Sequence, residues 1–350
     1  MTRQLSRRSF LGGVAAIGGA TALTACGAAG PSAPPASAAA SATPAPTRIA
    51  VKAAWVAQTA NQMIWPAAKD AGYFDKYGVD FDLSYINGSS TAVPALIASQ
   101  IGLASVAGSA VVSAQAGGSD IVMVAGFLNK AIFRVIAGPG ISSIDQLKGK
   151  TVAVTRIGNA DYFAWQTIAA KQGWQMSDLQ FVTANDVQGQ VALLQTAKVQ
   201  AIAVSPPNNI LGVQAGGKEI YDTAQLNEPE QNVGVAVTRK FATENRAVVL
   251  GVLKASVEAM ARWPKDPAFV KGVIKMYLKT DDQQFIDTGY SAYANVWPQA
   301  PYPTVPGLQR VIEQVATTNA KAKELKPEQL IDNSFVKELE DSGFIKSIYK

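Results

Sequence analysis

Four short stretches of this chain bring together side chains able to hold a small solute. Gly88-Ser89-Ser90-Thr91 stands immediately ahead of a segment with helical apolar spacing. The unpaired N–H groups and positive dipole end at the start of a helix attract an anion, and the three hydroxyls add donors. Ser and Thr are also favoured helix caps, and the two roles are compatible. Arg156-Ile157-Gly158-Asn159-Ala160-Asp161 follows the apolar run 151–154. Arg156 can grip a carboxylate or sulfonate with two N–H groups, or it can pair with Asp161 or Asp186. Asn159 and Asp161 can cap the next helix or point at a ligand. Gln58 and Gly108-Ser109 sit in loops after strand candidates, and Pro206-Pro207 with Asn208 pre-sets an opposing wall. Trp55, Phe127, Phe133, Tyr162 and Trp297 can stack on a flat ligand or fill a core. Trp297 is expected to be the most exposed of these, because it opens a loop-like run to Pro306.

Other chemistry is excluded by composition. The chain has no histidine, which removes the commonest general base, the commonest metal ligand and every Ser-His or Cys-His pair. It has one cysteine, so neither an intramolecular disulfide nor a cysteine-based zinc site can form. Carboxylates are scattered without the clustering of an oxygen cage, so no metal and no cofactor is expected. Of the formal charge of +5, three units come from Arg3, Arg7 and Arg8, which leaves +2 for the rest. That is no footprint for nucleic acid. With 48% hydrophobic and 16% charged residues, the 350-residue chain can bury a two-lobed core.

The first residues read as an address. Arg7-Arg8 followed by Phe10-Leu11 resembles a twin-arginine export signal, and the uncharged 10–25 run is too short and too rich in Gly and Ala to span a membrane well. Leu23-Thr24-Ala25-Cys26 resembles a lipobox, which implies cleavage after residue 25 and a diacylglycerol on Cys26. Two acyl chains anchor stably where one does not. Residues 27–47 are almost exclusively Ala, Pro, Ser, Gly and Thr, the composition of a flexible tether.

From Arg48 onward, strand-like and helix-like segments alternate. Strands are expected at 48–55, 79–85, 102–107, 121–127, 132–138, 151–154, 179–183, 200–204 and 233–238, with helices at 59–71 and about 90–100. This is the pattern of an α/β protein with largely parallel sheets. Residues 93–109 and 191–207 align without gaps at an offset of 98, each a helix with leucine at the same place (Leu96, Leu194) leading into a short apolar strand. Open α/β sheets bind ligands beyond the carboxyl ends of their strands, so two such lobes facing each other make a cleft.

Several motifs then resemble one family. Ala71-Gly72-Tyr73-Phe74-Asp75-Lys76-Tyr77-Gly78-Val79-Asp80, Asn87-Gly88-Ser89-Ser90-Thr91, Ile144-Asp145-Gln146-Leu147-Lys148-Gly149-Lys150-Thr151-Val152, Ser205-Pro206-Pro207 and Ile331-Asp332-Asn333-Ser334-Phe335 occur in order over residues 48–350. They are similar to the nitrate/sulfonate/taurine and thiamine-precursor (NMT1-like) branch of solute-binding proteins of ABC importers. Gly102 and Gln200 depart from it, since the family often has an acid there. The resemblance implies a type II periplasmic binding protein fold, with one lobe at 48–137 plus 238–350 and the other at 138–237. It implies a non-enzymatic, monomeric receptor on the outer face of the cell membrane. The partners would be a permease, its ATPase and a small anion or pyrimidine-type solute. A lipoprotein reporting to a signalling partner is the alternative. Enzymes of the same fold that build a pyrimidine need a histidine, which this chain lacks.

Overall fold

The computed structural model describes residues 48–350. The expected signal at 1–25, with Arg7 and Arg8, and the tether at 26–47, with Cys26, lie outside the described residues. Ten strands form two five-stranded sheets. In spatial order the first sheet contains β2 (Val79–Tyr85), β1 (Ile49–Trp55), β3 (Leu103–Val106), β10 (Pro229–Thr238) and β4 (Ile121–Lys130). The second contains β7 (Gln180–Thr183), β6 (Thr151–Val154), β8 (Ala201–Val204), β5 (Arg134–Ala137) and β9 (Lys218–Asp222). The two orders are equivalent. Three parallel strands come first, then a strand that arrives from the other sheet and runs antiparallel to both neighbours, then the last strand.

The strands form where the sequence pattern matches their surroundings. In β2, Val79 and Phe81 are buried while Asp80 and Asp82 face solvent, the alternation of a strand covered on one face. β4 is buried from Ile121 to Leu128, although it ends the strand order. Its open edge is closed by the C-terminal chain: Asp332 N donates to Met123 O at 2.9 Å and Gly126 N to Pro301 O at 2.8 Å. Covering an edge in this way removes a template for unwanted pairing.

The expected lobe boundaries need moving. β5 was expected to end the first lobe and β10 the second, but each pairs in the opposite sheet. The crossings are therefore the short segments 131–133 and 223–228, ahead of the expected 137 and 237. Apolar runs mark a strand as buried without naming its partner. The expected helix at 59–71 is also broken, into a 3₁₀ turn Ala60–Gln62 and a helix Ile64–Asp70. β9 escaped notice because Lys218-Glu219-Ile220-Tyr221-Asp222 is a polar, partly buried edge strand. Arg134 holds it with Glu219 at 2.9 Å and Asp222 at 2.8 Å.

The 98-residue offset survives in three dimensions. The helix Ser89–Ile97 leads to β3, and the helix Val187–Gln195 leads to β8, with every boundary shifted by 98. Between helix and strand, Ser99 and Ala197 both adopt a left-handed backbone, with φ of 56° and 55°. Gly102 is glycine for a packing reason, since a Cβ there would come within 2.5 Å of the Phe241 ring.

Gly234 lies mid-strand in β10, where a Cβ would meet Ala125 O at 2.3 Å. That oxygen belongs to the neighbouring backbone and cannot swing away. Gly234→Ala is expected to cost about 1–3 kcal/mol, the usual penalty of overpacking, read as a lower urea midpoint.

Candidate functional site

The carboxyl ends of β1, β2 and β3 face those of β6, β7 and β8, and a cavity of about 110 Å³ lies between them. A buried water needs roughly 10–15 Å³ on the same measure, so the space suits a small organic molecule or ion. The first lobe contributes the loop 56–59 after β1, Asn61 and Gln62 of the 3₁₀ turn, and Tyr85 to Ser89 at the end of β2. The second contributes Thr155 and Asn159 to Asp161 after β6, Asp186 to Gln190 after β7, and Ser205 after β8. Phe133 on one crossing and Asn232 in β10 close the back.

Of the residues singled out in the sequence, Gln58, Ser89, Asn159, Asp161 and Phe133 line this cavity. Ser89 Oγ is tied down by Ala107 N at 3.1 Å, which joins the β2 and β3 loops. It does not cap its own helix, whose N-cap Gly88 has no side-chain bond.

The others stand off this lining. Ser90 and Thr91 are exposed and off the lining. Arg156 is exposed too, and its Nη1 donates to Thr91 Oγ1 at 3.1 Å; among the described residues it makes no ion pair with Asp161 or Asp186. Gly108 is pressed against Gln231, and Ser109 is buried behind it. Pro206 gives its carbonyl to the Tyr293 hydroxyl at 3.1 Å, while Asn208 is buried and donates to Gln58 O at 3.3 Å. Trp297 is partly buried, the most exposed of the five aromatics as expected, but it packs on Trp263 and Tyr293, with ring centres 5.2 and 5.5 Å away, and stands off the lining. Trp55, Phe127 and Tyr162 are core residues, against Tyr85, Trp65 and Phe163 respectively.

Two hydrogen-bonded chains organise the lining, and each ends on a buried carboxyl group. Asp161, in the first turn of the helix Ala160–Gln172, accepts from Thr155 N, from Thr155 Oγ1 at 2.9 Å and from Gln190 Nε2 at 3.0 Å. Asn159 Nδ2 donates in turn to Thr155 Oγ1 at 3.0 Å. From the other side Ser205 Oγ donates to Thr59 Oγ1 at 3.1 Å, Thr59 to Asn61 Oδ1, Asn61 to Asn232 Oδ1 at 3.4 Å, and Asn232 to Glu230 Oε1 at 3.3 Å. Burial pushes both carboxyls up, Asp161 to about 6, and the hydrogen bonds they accept work against that rise.

The mouth is crossed as well. Asn87 Nδ2 donates to Asn185 O at 3.3 Å, beside the Arg156–Thr91 bond. Asn87 and Asn185 stand 98 residues apart and so occupy equivalent places in the repeat. The same shift carries Gly88 to Asp186 and Ala107 to Ser205, all four of which line the cavity. Applying the repeat to the Gly88 loop was thus the signal that could have found Asp186 and Ser205. Gln62, Gln190 and Asn232 had none, because an amide inside a helix or strand pattern looks like a surface residue.

An acid with a raised folded pKa contributes stability that is present below its unfolded value and lost as pH rises through the folded one. For Asp161 that window runs from its ordinary 3.8 to about 6. The loss is on the order of 3 kcal/mol. Asp161→Asn lacks this loss, so its stability relative to wild type is expected to improve steadily between pH 4 and 6 in urea unfolding.

Comparison with known proteins fits this geometry. No curated protein matches the chain. Among solved structures, the periplasmic aliphatic sulphonate binding protein SsuA from Escherichia coli superposes with a TM-score of 0.67 at 19% identity, over 81% of this chain and 92% of that one. The periplasmic nitrate-binding protein NrtA from Synechocystis PCC 6803 gives 0.70 at 15% identity, over 85% and 90%. The alkanesulfonate-binding protein SsuA from Xanthomonas axonopodis pv. citri, bound to MOPS, gives 0.64 at 16%, over 85% and 98%. The fold is that of the periplasmic binding proteins, as expected. A family profile described as NMT1/THI5 like matches residues 60–268, which takes in both crossings and the cleft loops other than 56–59. With more than half its length matched, the chain belongs to the NMT1/THI5-like family.

Proposed function

We propose that this protein is the lipid-anchored, extracytoplasmic substrate-binding component of an ABC importer. A diacylglycerol on Cys26 holds it at the outer face of the cell membrane, and residues 27–47 give the two lobes reach. A small solute enters the cleft, the lobes close over it, and the complex hands it to a permease driven by its ATPase. The protein acts as a monomer and performs no chemistry on the solute. The observation that carries this reading is the cavity at facing strand ends, with hydrogen bonds from lobe to lobe across its mouth. Hinge closure around a ligand is an established use of such a form. The periplasmic binding proteins of similar fold support the extracytoplasmic setting.

A solute at 100 times its Kd adds about 2.7 kcal/mol of stability. A thermal-shift screen over oxyanions, amines, amidines, sugars and nitrogen heterocycles is therefore expected to give at least one clear rise in melting temperature. A flat response across the panel counts against solute capture. Arg156→Ala removes one exposed bond at the mouth and is expected to weaken the identified solute less than about fivefold, since such bonds contribute under about 1 kcal/mol. A loss of fiftyfold would put Arg156 on the solute and overturn the assignment of the lining. Cys26→Ser is expected to abolish labelling by a radioactive fatty acid and to release the protein from the membrane fraction. Retained labelling refutes the anchor.

A further inference from the structure

The hydrogen bonds around Asp161 settle which way the neighbouring amides face. Thr155 has one hydroxyl proton, and it goes to Asp161 Oδ1 at 2.9 Å. Thr155 Oγ1 must therefore accept the bond from Asn159 at 3.0 Å, which only the Nδ2 end of that amide can donate. Gln190 stands between two acceptors, Ala153 O at 3.1 Å and Asp161 Oδ2 at 3.0 Å, so its Nε2 end is fixed as well. The opposite ends, Asn159 Oδ1 and Gln190 Oε1, are buried without a partner, and both residues line the cavity. Gln190 is fully buried.

The first lobe adds to the same polarity. Gln62, 4% exposed, carries a third buried oxygen without a partner, although no hydrogen bond fixes which end of its amide faces inward. Ser205 has given its proton to the chain that ends on Glu230, which leaves its oxygen as an acceptor. Gln58, Gln62 and Gln188 are the lining amides that make no side-chain hydrogen bond and can turn either end inward. Among the described residues the lining holds two carboxylates, Asp161 and Asp186, and no lysine or arginine. Of these side chains an oxyanion meets mainly acceptors, with the helix starts at Ser89, Ala160 and Val187 as the donors left to it. A solute bearing N–H groups satisfies oxygens that are otherwise stranded.

We propose that the buried Asp161 carboxylate is the positioning residue for this cleft. By holding Thr155, Asn159 and Gln190, it selects a neutral or cationic solute rich in N–H groups (an amine, an amidine or an amino-substituted ring) over nitrate, sulfonates and carboxylates. This rests on the solute-binding reading above. The sulfonate- and nitrate-binding proteins of similar fold are named for ligands of the opposite polarity. Within one architecture, then, the direction of a few amides reverses what the cleft accepts.

The test uses pairs of probes that share a shape and differ in the polarity of the head group: acetamidinium against acetate, and benzamidinium against benzoate, with nitrate and methanesulfonate alongside. Titration calorimetry of the purified protein is expected to show at least tenfold tighter binding of the amidinium in a pair. Equal or tighter binding of the oxyanion overturns the proposal and leaves solute capture standing. Silence from both classes overturns it too, and if no solute in the wider screen binds, solute capture falls with it. Asp161→Asn, checked for a cooperative melt, is expected to reduce the amidinium preference by tenfold or more. A purely structural role would lower the melting temperature and leave that ratio unchanged, which would sink the positioning role. Should the variant not fold, Thr155→Val cuts the link to Asn159 alone. It is expected to reduce the preference severalfold, and an unaltered preference again counts against the proposal.

Discussion

β10 lies between β3 and β4, and β5 lies between β8 and β9, each antiparallel to both neighbours and each delivered by the chain as it leaves the opposite sheet. Neither sheet is complete until the chain has passed through the other. The two crossings are therefore short, and they pin the carboxyl ends of both parallel strand sets to the same gap. The loops that line the cavity follow from that constraint, as does the position of Phe133 and Asn232 at its back. A buried polar network is tolerated there because nearly every member has a partner, and a half-satisfied network costs more than an apolar core. Among the lining residues the exceptions are the side-chain oxygens of Gln62, Asn159 and Gln190.

The C-terminal helices tie the lobes together away from the cleft. Gln314, on the helix Val305–Ala316, donates to Thr167 Oγ1 at 3.0 Å, and Gln166 donates to Thr317. On the other flank Gln214 donates to Asp282, and Tyr293 reaches the Pro206 carbonyl.

Much of the fold was legible because its cause is local. Val79, Phe81 and Leu83 alternate with acids and Ser84, and Gly72, left-handed at φ 70°, follows a helix as its position suggested. The repeat was legible because duplicated helix–strand units keep their lengths. Strand partners were not, since Arg134–Ala137 has the same apolar run whichever sheet receives it. In the site, Asn159 and Asp161 stood out by following a strand. Arg156 drew attention by its charge, but a long exposed side chain at a rim finds a nearby hydroxyl as readily as a ligand. Gln190 was invisible, because what makes it matter is the orientation of an amide set by a carboxylate elsewhere in the sequence.

The bonds at the mouth, Asn87 to Asn185 and Arg156 to Thr91, involve exposed groups; three of the four residues stand off the lining, and Asn87 gives its amide to the opposite lobe. In the proposed receptor, how long the lobes stay shut and what they shut upon would thus be written largely in different residues. Dwell time can drift under selection, lengthening for scarce nutrients or shortening for abundant ones, while the chemical identity of the cargo stays the same. A paralogue could change cargo by turning two amides and keep its clock.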